Sequence, residues 1–291
     1  MSKQLRGLGV ALVTPFNEKG GIDYGALSRL LEHVSGGGVD YLVALGTTAE
    51  TPTLNSLEKR ELVNFIKSNN PNNLPIVIGR GGNSTNDLIN SLDDLKLDGI
   101  EALLSVTPYY NRPSQDGLIK HYMMLADACP VPVILYNVPS RTSCNLDASS
   151  TLRLAEYPNI IGIKEASGDL EQCATIAAHA PDDFLIISGE DMLTLPLMGY
   201  GGVGVISVLA NALPNQFSKV VHDYLNGDSQ SATAGFKELV TMTKLIFEQG
   251  NPTGIKEVLS CMGICENHVR LPLTTATELL SEKISLALSK L

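Results

Sequence analysis

Lys164 and Glu165 close the apolar run Ile160-Ile161-Gly162-Ile163, which has the makings of a strand in a protein interior. A lysine at such a place either lays its stem on apolar surface with its ammonium in water, or serves as a nucleophile. A free lysine, with a pKa near ~10.4, is almost all ammonium at neutral pH and cannot attack. Apolar surroundings disfavour the charged form and raise the fraction of free amine. A neutral Lys164 adds to a ketone and loses water, giving an imine whose protonated nitrogen draws electrons from the neighbouring carbon. That chemistry needs no metal and no cofactor, but it does need a proton shuttle. Tyr136, one strand away, is the candidate general acid and base, with Thr47 and Tyr110 placed to pass the proton on.

The elements that must position these groups recur along the chain. Eight short apolar, β-branched runs are read as strands: 7–15, 39–48, 74–82, 100–110, 131–139, 160–166, 184–190 and 202–210. Near-continuous apolar runs suit parallel strands covered on both faces. Between them lie segments with helical spacing, such as Leu27, Leu30, Leu31 and Val34 before a stop at Gly36. Strand and helix in alternation imply right-handed crossovers and a parallel sheet. With near-equal spacing and no separate cofactor domain, the predicted fold is α/β, a (β/α)8 TIM barrel over 1–211. The remaining 212–291 is predicted to supply the last barrel helix and a C-terminal helical extension, packed as one unit with the barrel.

Barrel enzymes gather their chemistry at the C-terminal ends of the strands. Those ends here offer Thr14, Thr47, Thr48, Thr107, Tyr109, Tyr110, Tyr136, Asn137, Arg141, Lys164, Glu165, Ser188, Gly189, Glu190 and Ser207. Hydroxyls, one amine and one guanidinium thus crowd a single rim. The run GRGGN (79–83) is able to cradle a phosphate through backbone amides, but the usual barrel phosphate site follows strands seven and eight. Strand seven runs into Glu190 and Asp191, which repel a phosphate. An unphosphorylated substrate follows, with carboxylates held by Arg141 and by hydroxyls and amides around Thr47 and Thr48.

Composition narrows the partners. The chain has 291 residues, 44% hydrophobic and 18% charged, enough for a large core. A formal net charge of −10 argues against nucleic acid, whose binding relies on Lys and Arg. No run approaches the ~20 apolar residues of a membrane helix, and the N-terminus has neither signal-peptide nor transit-peptide character. The five cysteines have no paired CxxC spacing, so reduced thiols in a cytoplasm are expected. The five histidines are scattered without HxxxH spacing, so no metal site is expected.

The motifs GVALVTPF, GTTAETPTL, VTPYYNRPSQDGL, VILYNVPSRT, IIGIKEASGD, SGED and NPTGIKEVL…VRLPL span essentially the whole chain. In order and spacing they resemble the dihydrodipicolinate synthase and N-acetylneuraminate lyase family of Schiff-base barrel lyases. The resemblance implies that Lys164 forms the imine with pyruvate and that Thr47, Tyr110 and Tyr136 form a proton relay, with Tyr110 crossing from a neighbouring subunit. It also implies that Thr48 holds the pyruvate carboxylate, that Gly189 and Ile206 shape the pocket through backbone contacts, and that Arg141 receives the carboxylate of L-aspartate 4-semialdehyde. The implied product is 4-hydroxy-tetrahydrodipicolinate, which leads to lysine and diaminopimelate, and the implied assembly is a homotetramer of two dimers. Arg141 separates this activity from that of a sibling aldolase or dehydratase acting on a 2-keto-3-deoxy sugar acid. A barrel that merely binds a keto acid would not need the full set of Lys164, Tyr136, Thr47 and Tyr110.

The chain departs from the family pattern in two places. Ala49 stands where the family usually has glycine, adding a methyl group where the backbone is expected to bend, and Gly254 stands near a common second proline. The cleft that binds the feedback inhibitor lysine in some relatives corresponds to Ser56, Lys59, Asn83, Asp87 and Tyr109. A cationic Lys59 facing a cationic ligand predicts weak or absent lysine inhibition.

Overall fold

The computed structural model describes residues 5–291. Its strands are β1 (Gly7–Ala11), β2 (Tyr41–Ala44), β3 (Ile76–Gly79), β4 (Ala102–Val106), β5 (Val133–Asn137), β6 (Ile160–Glu165), β7 (Leu185–Ser188) and β8 (Gly204–Ser207). They follow one another in sequence order around a closed barrel, so the predicted α/β barrel with C-terminal helices is the observed fold. Each strand lies inside its predicted run but is shorter. The run 39–48, for example, stops being strand after Ala44, because Leu45 turns into the left-handed region at φ 54° and Thr47–Ala49 forms a single 3-10 turn.

Two compact units divide the chain. One comprises Leu5 and Arg6 with Pro75–Ile206; the other comprises Gly7–Leu74 and Ser207–Leu291. In the first, β3 to β8 pair in parallel, and the registers place Val106 against Tyr136, Tyr136 against Lys164, and Lys164 against Ile187. All five residues of β5 and all but Ile161 of β6 are buried, which explains why these strands read as apolar runs and not as alternating ones. The helices that cross back over them begin on side-chain caps. Ser114, Asp147 and Asp169 each accept the backbone N–H three residues on, satisfying a donor that the first turn leaves free.

In the second unit, Asn211 stitches the end of β1: its Oδ1 accepts from the Val13 N–H at 3.1 Å and its Nδ2 donates to the Ala11 carbonyl at 2.8 Å. The helix Ser56–Ser68 opens on a capping box between Asn55 and Glu58. The C-terminal helices are Pro214–Leu225, Ser229–Glu248, Thr253–Cys261 and Glu278–Leu288, the last two packing on Ser229–Glu248. In the helix Thr253–Cys261 seven of the nine residues are buried. It shows no solvent face for a periodic pattern to mark. Gly254 explains part of this: a Cβ there would lie 2.3 Å from the Ile246 carbonyl oxygen. The two helix backbones touch where a side chain is absent.

Candidate active site

In the first unit, Lys164 and Tyr136 sit at the same level of β6 and β5. Both are buried, and the lysine Nζ lies 4.6 Å from the centre of the tyrosine ring. The arrangement sets a dry amine beside a phenol, the pairing that imine chemistry with proton transfer needs. Gly189 makes room for it. A Cβ at that position would stand 3.1 Å from Lys164 Cε and 2.6 Å from the Ala166 Cβ, while the Gly189 N–H donates to the Glu165 carbonyl at 2.7 Å. The missing side chain lets the lysine stem rise past strand β7. Ile206 is buried on β8.

Glu165, next to the lysine, faces a polar network of its own. Its carboxylate accepts from Asn137 Nδ2 at 3.1 and 3.2 Å, from the Ser167 N–H at 2.7 Å and from Gln172 Nε2 at 3.0 Å. Burial pushes its pKa up, and the hydrogen bonds from Asn137, Ser167 and Gln172 pull against that. Asn137 Oδ1 also accepts the Leu146 N–H at 3.0 Å. The carboxylate thereby anchors the far end of the loop that carries Arg141. At the near end, Arg141 lies in the single helical turn Pro139–Thr142, stopped by Ser143 at φ 55°. Thr142 Oγ1 closes this loop on the Cys144 carbonyl at 2.9 Å.

Arg141 is exposed, and Glu190 relates it to the lysine. Burial and the charge of Asp191 raise the pKa of Glu190, while Lys164 and Arg141 act to lower it. Lys164 and Arg141 therefore both lie within electrostatic reach of one half-buried carboxylate, as expected of a shared rim. Tyr110 is different: it is 90% exposed and its backbone is left-handed, with φ 73°. Tyr109 is also exposed. Asn111 ties this loop to Asn83, its Nδ2 donating to the Asn83 carbonyl at 2.9 Å. Asn83, Asp87 and Tyr109 thus belong to this unit and are exposed.

The second unit holds Thr47 and Thr48, with Ser56 and Lys59 on the helix that follows. The backbone reverses at Leu45 and again at Glu50, φ 55°, and not at Ala49. Ala49 is buried in the 3-10 turn with its carbonyl accepting Thr14 Oγ1 at 2.8 Å, so its methyl group meets no backbone conflict. The left-handed φ falls one residue later, at Glu50.

Three further contacts grip this turn, none of them signalled by the sequence. Asn251 Nδ2 donates to Thr48 Oγ1 at 2.9 Å. Lys256, fully buried, pairs with Glu50 at 2.6 Å, donates to the His268 carbonyl at 2.7 Å and stands 4.2 Å from the centre of the Phe16 ring. The other Glu50 oxygen accepts the Arg270 N–H at 2.8 Å. Burial lowers the Lys256 pKa, and the Glu50 charge opposes that. A buried cation and anion so close, with their remaining sites filled, form a rigid joint. These partners are some two hundred residues apart in the chain, so spacing gave no sign of them.

A sequence profile of the Dihydrodipicolinate synthetase family matches residues 4–291. A 4-hydroxy-tetrahydrodipicolinate synthase of Azobacteroides pseudotrichonymphae is 47% identical over 98% of this chain and 96% of its own. One from Moorella thermoacetica is 44% identical over 96% of each chain. Among solved structures, dihydrodipicolinate synthase from Thermotoga maritima superposes with a TM-score of 0.96 at 35% identity, covering 99% of this chain and 98% of that one. The Acinetobacter baumannii enzyme, solved with pyruvate, gives 0.95 at 37% identity over 98% of each.

Proposed function

Because the chain belongs to the dihydrodipicolinate synthetase family, we infer its reaction from the activity its relatives share and assign each step to its own residues. The protein is an enzyme that condenses pyruvate with L-aspartate 4-semialdehyde to give 4-hydroxy-tetrahydrodipicolinate. In the proposed mechanism Lys164 Nζ attacks the ketone carbon of pyruvate, and the resulting carbinolamine loses water to give an imine. Tyr136 hands the proton to the departing hydroxyl and afterwards takes one from the methyl carbon, leaving an enamine. The enamine carbon bonds to the aldehyde carbon of the second substrate, whose oxygen gains a proton. The substrate's amine then attacks the imine carbon, closes the ring and releases Lys164. One water leaves overall.

Thr48 is assigned to the pyruvate carboxylate, Arg141 to the carboxylate of the semialdehyde, and Gly189 and Ile206 to the pocket wall. A guanidinium fork matches a carboxylate in geometry and charge. Thr47 and Tyr110 complete the proton relay. The observation that carries this reading is the buried Lys164 set against Tyr136, with Gly189 opening the path for its stem. Borohydride reduction in the presence of pyruvate, followed by peptide mass mapping, tests it: a stable adduct is expected on the Lys164 peptide, and its absence there overturns the assignment.

The exposure of Tyr110 supports a dimer in which its ring enters the neighbouring subunit, and two such dimers would make a homotetramer; sedimentation of the native enzyme tests this. Segment 212–291 is proposed to work as one body with the strands it packs on. A cytoplasmic location is proposed from the biosynthetic role. Among the described residues no helix is long and apolar enough to cross a membrane, and all five cysteines are free. Ser56, Lys59, Asn83, Asp87 and Tyr109 are proposed to form a cleft with little affinity for lysine, so half-inhibition at low micromolar L-lysine would refute that reading.

A further inference from the structure

The geometry points to Asn251 as a positioning residue for pyruvate, one that fixes the Thr48 hydroxyl as a hydrogen-bond donor. This inference rests on the assignment of Thr48 to the keto-acid carboxylate. A threonine hydroxyl carries one hydrogen and two lone pairs, and its rotor turns to suit its neighbours. Asn251 Nδ2, a donor with no lone pair to offer, stands 2.9 Å from Thr48 Oγ1. One lone pair of the hydroxyl is thereby filled, and the hydrogen must point elsewhere. A carboxylate accepts hydrogen bonds only, so the hydroxyl that receives it must be turned to donate. The amide imposes that polarity.

Two observations separate this from ordinary packing. Thr48 is 2% exposed and Asn251 9%, so neither side chain has ready access to bulk water as an alternative partner. The bond to Thr48 is also the only one that the Asn251 side chain makes among the described residues, since its Oδ1 has no partner. A buried amide with a purely structural task usually satisfies both ends; this one commits its donor to a single hydroxyl. The joint between Lys256 and Glu50 holds the same two segments together. Asn251 and Lys256 grip the turn at Thr48 and at Glu50, which fixes its height and tilt while the amide sets the direction of the proton.

The test is a steady-state comparison of Asn251→Asp, Asn251→Ser, Thr48→Val and the double variant Asn251→Ser/Thr48→Val, with pyruvate and the semialdehyde each varied in turn. Thermal melts show the range over which each variant is folded. Asn251→Asp keeps the shape but offers Thr48 an acceptor, which captures its proton and adds a negative charge behind it. A KM for pyruvate raised by about tenfold or more is expected, the size of one charge-assisted hydrogen bond, with the KM for the semialdehyde little changed. Asn251→Ser should raise the same KM, and the double variant should bind pyruvate no more weakly than Thr48→Val alone. If Thr48→Val raises the KM for pyruvate and neither Asn251 variant does, or if the two losses multiply in the double variant, the role of Asn251 is overturned while that of Thr48 stands. If Thr48→Val leaves that KM unchanged, both fall together.

Discussion

Tyr136 and Lys164 are register partners on β5 and β6, with the amine nitrogen 4.6 Å from the centre of the phenol ring. The proposed nucleophile and its proposed proton carrier are therefore set by strand pairing and not by a loop. Gly189 completes the arrangement by leaving open the space beside Lys164 Cε.

Gly189→Ala is expected to displace the lysine stem, because the added methyl would approach Cε at 3.1 Å and Ala166 Cβ at 2.6 Å. Overpacking of this kind costs about 1–3 kcal/mol of stability. Loss of imine formation should exceed that cost; trapping with borohydride at a temperature where the variant remains folded measures it. An unchanged trapping rate would show that the stem has another path.

Removal of the guanidinium in Arg141→Ala should weaken use of the semialdehyde by roughly 10–100-fold in kcat/KM, the range of a charged hydrogen bond. Pyruvate trapping on Lys164 should persist. Selective loss of pyruvate binding would reassign Arg141.

Mixing two inactive variants tests the crossing of Tyr110. Lys164→Ala supplies an intact Tyr110, and Tyr110→Phe supplies an intact lysine. After joint unfolding and refolding, mixed dimers should regain activity, because one site in each combines the lysine of one subunit with the tyrosine of the other. No recovery is expected if each site draws both residues from one chain.

Lys256→Met leaves Glu50 buried without its cation, a change that typically costs about 3–5 kcal/mol. A large fall in melting temperature is expected, with the KM for pyruvate raised in the fraction that folds. Replacing both partners together, as Glu50→Gln with Lys256→Met, should restore part of the stability, and calorimetry distinguishes the two cases.

His121 gives the protein an acid sensitivity outside the site. It is 4% exposed, with Thr85 Oγ1 2.9 Å from its Nδ1, and burial lowers its pKa to about 4. The folded state then binds a proton less readily than the unfolded chain, whose histidine titrates near ~6.5. Its contribution is complete above that value and is lost as pH falls through the folded pKa, amounting to roughly 3 kcal/mol in all. The fall in melting temperature between pH 7 and pH 4.5 should be smaller in His121→Asn than in the parent.

The sequence disclosed most of what depends on local pattern. Apolar runs marked all eight strands, and Lys164 drew notice because a charged group closed one of them. Strand ends were less legible: the turn after Ala44 follows from two left-handed residues, Leu45 and Glu50, neither a glycine. Long-range partnerships were invisible. Nothing in NPTGIKEVL says that its asparagine meets Thr48 or that its lysine meets Glu50, since those contacts exist only once the chain has folded. The network of Glu165, Asn137 and Gln172 was likewise hidden, although two of its members close strands β6 and β5.

The backbone contact at Gly254 bears on how this protein can be rebuilt. With the Ile246 carbonyl 2.3 Å from where a Cβ would be, the helices Ser229–Glu248 and Thr253–Cys261 form a matched pair, cut to fit one another. Grafting in a stretch that carries a larger residue at that place would drive the two apart unless its companion helix came too. Chimeras of this enzyme should therefore exchange 229–261 as a block.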